Sequence, residues 1–100
     1  MKISKETSEH YTWGDNCDGW HLLKSDSLSV IQERMPTGTE EALLFHHKAQ
    51  QFFFILSGVA TFEIDGVVIE VSANEGLHIT PNQKHKIKNK GETDLQFLVI

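Results

Sequence analysis

Two histidines of the chain, His46 and His85, stand in two spaced patterns that could bring chemically active side chains together. The first pattern continues to Gln51 and the second to Asn89. Alternate residues of a pleated strand point to the same side, so side chains from different strands can converge on one point. Imidazole nitrogens and amide oxygens offer lone pairs that bind transition metals, and imidazole also carries protons near neutral pH. Metal binding and acid–base catalysis are therefore the two kinds of chemistry that these residues indicate.

The spacing of both patterns resembles the two motifs of the cupin family. In cupins the first motif is Gly-x5-His-x-His, followed after three or four residues by Glu-x6-Gly. The corresponding run of this chain is Gly38-x5-Leu44-x-His46-x4-Gln51-x6-Gly58. The second cupin motif is Gly-x5-Pro-x-Gly-x2-His-x3-Asn, and its counterpart here is Asn74-x5-Thr80-x-Asn82-x2-His85-x3-Asn89. Both motifs occur in order, and the fifteen residues between them, 59–73, form a spacer of about the shortest length that cupins use.

The chain departs from the cupin motifs at the metal ligands. Leu44 stands at the first histidine position and Gln51 at the glutamate position. The resemblance implies a metal site formed by His46, Gln51 and His85, which suits zinc, iron, manganese or nickel with water at the open positions. None of these side chains neutralises the cation, so we expect weaker binding than with glutamate and a stronger Lewis acid. The alternative is a barrel without a native metal, because Leu44 places apolar bulk where a ligand would stand.

Asparagine replaces both glycines of the second motif, at Asn74 and Asn82. Asparagine tolerates left-handed backbone conformations better than any residue except glycine. We therefore expect the turns of the second motif to survive these replacements.

Three further side chains bear on the chemistry of the site. His78 precedes Thr80 in a predicted strand and is a candidate replacement ligand, although a hydrogen-bonded histidine of the core or rim is the favoured interpretation. His47 follows His46, so strand alternation sends it to the opposite face, at the surface. Glu33 is the strand carboxylate that could support a histidine in metal-free acid–base catalysis, which requires that it face the pocket and not the solvent.

The clearest structural element is a β-hairpin at residues 59–71. Asp65 and Gly66 suit a two-residue type I′ turn, in which both residues need positive φ. This turn fixes the register and places on one face the pairs Ile64–Val67, Phe62–Ile69 and Ala60–Val71.

The rest of the chain also alternates with period two, and turn residues separate the runs at intervals of about ten positions, which predicts an all-β fold. Further strands are predicted near residues 20–24, 27–35, 42–46, 52–56, 77–79, 84–88 and 95–100. Many short antiparallel strands favour a closed barrel, and the cupin resemblance implies the double-stranded β-helix, a jelly-roll-like barrel. Phe53 and Ile55 share the parity of Gln51 and are predicted to line its pocket, with Trp13 and Trp20 as packing aromatics near the mouth.

Composition bounds the chain to a single domain, residues 1–100, with the motifs at 38–58 and 74–89. We expect residues 1–26 to add strands or dimer contacts. A net charge of −5 disfavours binding to the phosphate backbone of nucleic acids. The alternating lysines at 84, 86, 88 and 90 are predicted to form a solvated outer face. No apolar run is long enough to cross a bilayer and no signal-peptide block is present, so we expect a cytoplasmic protein without membrane contact. Cys17 is the only cysteine, which excludes an intrachain disulfide, and it is predicted to be an incidental loop thiol.

The run from Phe52 to Leu56 is apolar without alternation, so both of its faces need cover. We predict that a second copy of the chain covers the outer face, giving a homodimer. The alternative is that residues 1–14 fold back over it.

Three functional hypotheses remain open from the sequence. The first is a metal-binding cupin that binds or transforms a small molecule at His46, Gln51 and His85. The second is a metal-free enzyme, related to sugar isomerases and epimerases, that uses a histidine as acid or base. The third is a non-catalytic ligand-binding or regulatory cupin. The fold does not choose among them.

Overall fold

The computed structural model describes residues 2–42 and 49–100. A short 3-10 helix at Lys5–Thr7 precedes nine β-strands. The strands are β1 (Glu9–Trp13), β2 (Cys17–Lys24), β3 (Ser29–Met35), β4 (Gln51–Ser57), β5 (Val59–Ile64), β6 (Val67–Ser72), β7 (Gly76–Ile79), β8 (His85–Lys88) and β9 (Leu95–Val99). The all-β class and the strands predicted in residues 20–35, 52–56, 77–79, 84–88 and 95–100 are therefore confirmed, whereas the strand predicted at 42–46 lies almost wholly outside the described residues.

Two antiparallel sheets form the fold. The larger has six strands in the order β1-β2-β3-β9-β4-β7, and the smaller has three in the order β6-β5-β8. An isolated bridge between Glu40 and Lys88 extends the smaller sheet beyond β8. The inner faces of the two sheets share one hydrophobic core, in which the rings of Phe53 and Phe62 lie 5.1 Å apart and those of Phe53 and Phe97 5.8 Å apart. Burial of each such side chain contributes about 1.5–3 kcal/mol.

The predicted β5–β6 hairpin is confirmed. Asp65 and Gly66 have φ values of 48° and 85°, as a type I′ turn requires. The observed pairs are Ile64–Val67, Phe62–Ile69 and Ala60–Val71. One detail differs, because Val67 is 60% exposed although it lies on the predicted core face. Val67 stands at the hairpin tip on the edge strand β6, where no further strand covers it.

The N-terminal region corrects the prediction for Cys17. The turn lies earlier than expected, at Gly14 and Asn16 with φ values of 53° and 61°, so β2 begins at Cys17. Its side chain is fully buried in the core, where burial raises the pKa of the thiol. Cys17 is thus a small core residue and not an incidental loop thiol.

Lys86 and Lys88 lie on the outer face of β8, as predicted, but they are half-buried and pair with Glu40 and Glu63 across N–O distances of 3.4–3.9 Å. Among the described residues, no helix is both long and apolar enough to cross a membrane.

Candidate functional site in the barrel interior

The predicted ligand Gln51 opens β4 and shares the inward face of that strand. Its register partner is the buried Ile79, and Phe53 and Ile55 follow on the same face. Both side chains are buried in the hydrophobic core, and that they line a pocket beside Gln51 stays a prediction. The Gln51 Oε1 atom is buried and has no hydrogen-bond partner within the described residues. The structure therefore presents a neutral oxygen donor on the interior side of β4.

The second predicted ligand, His85, opens β8 and is fully buried. It pairs with Ile64, and its ring lies 6.1 Å from the ring of Phe53. The His85 Nδ1 atom lies 3.3 Å from the carbonyl oxygen of Gln83, to which it donates.

The structure does not test the predictions for residues 44, 46 and 47. Leu44, His46 and His47 lie outside the described residues, so neither the third predicted ligand nor the predicted surface position of His47 is tested. Within residues 2–42 and 49–100, no three His, Cys, Asp or Glu side chains are grouped closely enough to hold a metal ion.

His78 does not replace a metal ligand. It pairs with Phe52 on the outer face, is exposed, and places Nε2 2.7 Å from the Gln50 Oε1 atom. The next residue, Ile79, takes the inward position of β7. The favoured interpretation, a hydrogen-bonded rim histidine, is confirmed, and the suggestion that His78 leans into the barrel is wrong because of strand parity.

The asparagines of the second motif are structural. Asn74 and Asn82 have φ values of 67° and 70°, which confirms the expected left-handed conformation. The buried Asn89 donates through Nδ2 to the carbonyl oxygens of Met35 at 2.8 Å and Thr93 at 2.9 Å. Its side chain therefore joins the end of β8 to the end of β3.

A groove of about 610 Å³ runs along the rim beside Gln51. It is bordered by the loop at residues 25–29 and by Phe52, His78 and Ile100. This groove gives solvent a route to the end of β4 at which Gln51 stands.

The interior also holds a carboxyl group on β3. Glu33 is only 8% exposed and pairs with Gly19 on one side and Phe97 on the other. Burial, and after it the charge of Glu41, raise the pKa of Glu33 to about 8. Its side chain makes no hydrogen bond or ion pair among the described residues. Glu33 therefore faces the interior and not the solvent, as the metal-free acid–base hypothesis requires.

A second carboxyl group, Glu41, approaches from the opposite sheet. The backbone N–H of Glu41 donates to the carbonyl oxygen of Ile87 at 2.9 Å, beside the bridge from Glu40 to Lys88. Burial raises the pKa of the Glu41 carboxyl to about 7. Its Oε1 atom is buried and lacks a hydrogen-bond partner in the described part of the chain.

Tyr11 reaches the same region across Gly19. The two residues are register partners, and a Cβ atom on Gly19 would lie 2.2 Å from Cζ and 2.5 Å from the hydroxyl oxygen of Tyr11. Only glycine leaves space for this ring to cross β2 toward Glu33. Burial, followed by the charges of Glu33 and Glu41, raises the pKa of Tyr11 to about 12. The His21 ring lies 4.9 Å from the Tyr11 ring, and its Nδ1 atom is buried without a partner among the described residues.

Comparison with known proteins places this architecture. Residues 31–100 match the family described as the cupin domain. The chain belongs to the cupin family. The double-stranded, jelly-roll-like barrel predicted for this cupin is thereby confirmed.

Relatives of this cupin include proteins of different descriptions. An uncharacterised protein of Methanocaldococcus jannaschii is 27% identical over 78% of the chain and 62% of its own length. An oxalate-binding protein of Thermotoga maritima is 26% identical over 80% of the chain and 70% of its own length. The chain therefore spans about two thirds of these two relatives.

Solved structures share the fold. A crystal structure from Thermotoga maritima, described as a predicted oxalate decarboxylase, superposes with a TM-score of 0.87 at 23% identity over 99% of the chain and 96% of its own. A sugar phosphate isomerase of the cupin superfamily from Silicibacter pomeroyi superposes with a TM-score of 0.84 at 17% identity, over 99% and 73% of the two chains.

The cupin fold implies a metal at the motif residues, and the two described positions fit one. Gln51 offers a buried oxygen that has no hydrogen-bond partner within the described residues, and His85 offers a buried imidazole on the other sheet. A nitrogen and a neutral oxygen donor suit a divalent transition metal.

Sequence reasoning considered Glu33 but missed Glu41, Tyr11 and His21. A signal for Glu33 existed in β3, because Ile31 and Met35 mark the inward parity on either side of it. No local signal marks Tyr11 and His21, because their inward positions depend on pairing between β1, β2 and β3.

Proposed function

We propose that this cupin binds a small organic molecule inside its barrel, at a divalent transition metal held by His46, Gln51 and His85. Zinc, iron, manganese and nickel suit this set of donors. The observation that carries the proposal is the Gln51 Oε1 atom, buried on the inward face without a hydrogen-bond partner within the described residues. An unsatisfied buried acceptor costs about 1–3 kcal/mol, a cost that a bound metal would remove.

A metal in this site would supply positive charge and Lewis acidity. The chain's own residues supply the other functions. Glu33 and Glu41, with pKa values of about 8 and 7, exchange protons near neutral pH and so can act as acid or base toward a bound molecule. The phenol of Tyr11 keeps its proton and can donate a hydrogen bond.

The descriptions of the relatives suggest two ligand classes for this cupin. A small dicarboxylate, as in the oxalate-binding relative, would be repelled by the interior carboxylates and so would bind only beside the positive charge of the metal. A sugar phosphate, as in the isomerase with the same fold, could use a protein acid or base.

The second candidate function is metal-free acid–base catalysis, which the inward position of Glu33 favours. An isomerase or epimerase of this kind needs a proton acceptor that is shielded from water and titrates near the working pH. Glu33 meets both requirements, since it is 8% exposed and has a pKa of about 8.

Elemental analysis of protein purified without a histidine tag tests the metal. We expect about one equivalent per chain, and a loss of most of it in Gln51→Ala and His85→Ala, because each removes a donor. His47→Ala is the matched control beside His46→Ala and should retain the metal. Circular dichroism of each variant separates loss of the ligand from loss of the fold.

Less than about a tenth of an equivalent in the unmodified protein would refute the metal proposal and favour metal-free catalysis or simple ligand binding. Loss of metal in His47→Ala with retention in His46→Ala would refute His46 as the ligand.

We also propose that the outer face of β4 forms a homodimer interface. The rings of Phe52 and Phe54 stack there at 6.4 Å, and Phe52 and Leu56 are each 39% exposed. The alternative cover is wrong for residues 2–14, because β1 pairs with β2 and is separated from β4 by β2, β3 and β9. An uncovered aromatic face of this kind is typical of an interface core.

Light scattering at micromolar concentration tests the dimer. We expect the mass of a dimer, and a monomer for Phe52→Lys, because a buried lysine would remove apolar contact and introduce an unpaired charge. Val68→Lys is the matched control, since Val68 is 60% exposed on the other sheet. A monomer in the unmodified protein, or a dimer that survives Phe52→Lys, would contradict the interface.

A further inference from the structure

Several oxygen atoms of the interior have no hydrogen-bond donor within residues 2–42 and 49–100. The Glu33 carboxyl group makes no hydrogen bond among the described residues, and the Oε1 atoms of Glu41 and Gln51 are buried in the same state. The buried polar residues of the described chain are Glu33, Thr39, Thr61, His85 and Asn89, and they include no lysine or arginine. A ligand that satisfied these oxygen atoms would donate hydrogen bonds, carry positive charge, or do both.

Two aromatic rings, those of Tyr11 and His21, lie on the same side of the sheet as Glu33. Gly19 leaves room for the Tyr11 ring to lie across β2, and a side chain at this position would collide with that ring. His21 packs at 4.9 Å from Tyr11 on the inward side of the same two strands. Two aromatic rings thus border the approach to the carboxyl groups.

We propose that Glu33 and Glu41 together recognise a cationic nitrogen, such as a primary ammonium or amidinium group, on the small molecule that enters the barrel. The inference rests on the proposed role of the interior as a ligand site, but it does not depend on the metal. Two carboxylates facing one cation form charge-assisted hydrogen bonds, which are about twice as strong as neutral ones. The faces of Tyr11 and His21 add favourable contact with a cation or with the aliphatic or aromatic part of the ligand.

The charge of the ligand determines how binding responds to pH. At pH 7 the Glu33 carboxyl still holds its proton, and the Glu41 carboxyl is partly protonated. A cation binds the ionised pair, so its binding at pH 7 releases between one and two protons and its affinity increases from pH 6 to pH 8.5. The other titratable groups of this region are Tyr11, Cys17 and His21. Burial raises the pKa values of Tyr11 and Cys17 above this range, so neither group reverses the direction.

Calorimetric titration of chelator-treated protein tests the inference with four probes that differ in charge. Benzylamine and benzamidine are the cationic probes, benzyl alcohol is the neutral one and benzoate the anionic one. We expect the two cations to bind at least about tenfold more tightly than the alcohol or the acid, with heats at pH 7 that differ between buffers according to the protons released. Comparable binding of benzoate, or no measurable binding of either cation, overturns the inference.

Glu33→Gln and Glu41→Gln should each weaken benzamidine binding by about tenfold or more, because each removes one negative charge at nearly constant shape. Glu63→Gln is the matched control, since Glu63 pairs with Lys86 and Lys88 on the outer face. Unchanged affinity in both interior variants overturns the assignment. Cation binding by metal-free protein that never retained metal would refute the metal proposal alone, and metal retention without cation binding would refute this inference alone.

Discussion

The charged groups on the outer surface and those inside the barrel are held in opposite ways. On the outer surface, the Asp18 carboxylate accepts hydrogen bonds from His10 and Arg34, each at 2.7 Å. Arg34 also donates to Asp94 at 3.0 Å and to the carbonyl oxygen of Asn16 at 3.0 Å. Inside, Glu33 is more deeply buried than any of these groups and makes no hydrogen bond or ion pair within the described residues. The more costly location thus holds the carboxyl group with fewer partners.

The two kinds of charged group differ in what they contribute to the stability of the fold. Exposed ion pairs contribute about 0–1 kcal/mol each and cost little to keep. A buried carboxyl group without a partner destabilises the folded state once it ionises, so the fold gains nothing from it. Such groups are concentrated at functional sites, which supports a role for Glu33 and Glu41 in ligand recognition or proton transfer.

The largest expected effect concerns the stability of the protein at alkaline pH. The unfolded chain loses the Glu33 proton near pH 4.5, whereas the folded chain keeps it until about pH 8. Folding therefore takes up a proton between these values, and the free energy of unfolding falls as the pH rises. Glu33→Gln removes the ionisation, so at pH 8.5 it should increase the free energy of unfolding by about 2–3 kcal/mol, after allowance for the buried amide.

Urea denaturation at pH 5 and pH 8.5 measures this effect, and the two proteins should differ little at pH 5. Glu41→Gln should change stability in the same direction by a smaller amount, since the pKa of Glu41 is raised only to about 7. Glu63→Gln, on the outer face, should show no such pH dependence. A Glu33→Gln variant less stable than the unmodified protein at pH 8.5 would remove the contrast between the two regions.

Much of the fold was readable from local sequence. The β5–β6 register followed from Asp65 and Gly66 because a two-residue turn fixes every pair of its hairpin. The left-handed conformations at Asn74 and Asn82 followed from residue type, and the inward parity of Gln51 and Phe53 followed from alternation. These features depend on neighbours in the chain.

The interior carboxyl cluster depends on distant neighbours and was only partly predictable. Tyr11 lies on the same side of the sheet as Glu33 because both residues are register partners of Gly19. No local pattern in the sequence predicts this pairing of β1, β2 and β3. Glu41 turns inward because Glu40 bridges Lys88 on the outside. The loop position predicted for Cys17 is wrong, because the preceding turn ends before this residue and β2 begins with it.

The smallest expected effect comes from the outer network, and it tests whether that surface contributes only to stability. Arg34→Met should lower the free energy of unfolding by about 1 kcal/mol at pH 7, because it leaves Asp18 and Asp94 without their shared partner. Hydrogen bonds first from His10 and then from Arg34 lower the pKa of Asp18 below 3.8. The stabilisation is therefore present above pH 4 and decreases as acid protonates Asp18, so the effect of Arg34→Met should shrink in urea denaturation at pH 3.

Lys88→Met, which removes only looser pairs at 3.4 and 3.9 Å, should change stability by less than about 0.5 kcal/mol. The proposed site for benzamidine lies in the interior, so neither variant should alter its affinity, and a loss of affinity in Arg34→Met would show that the two regions are coupled.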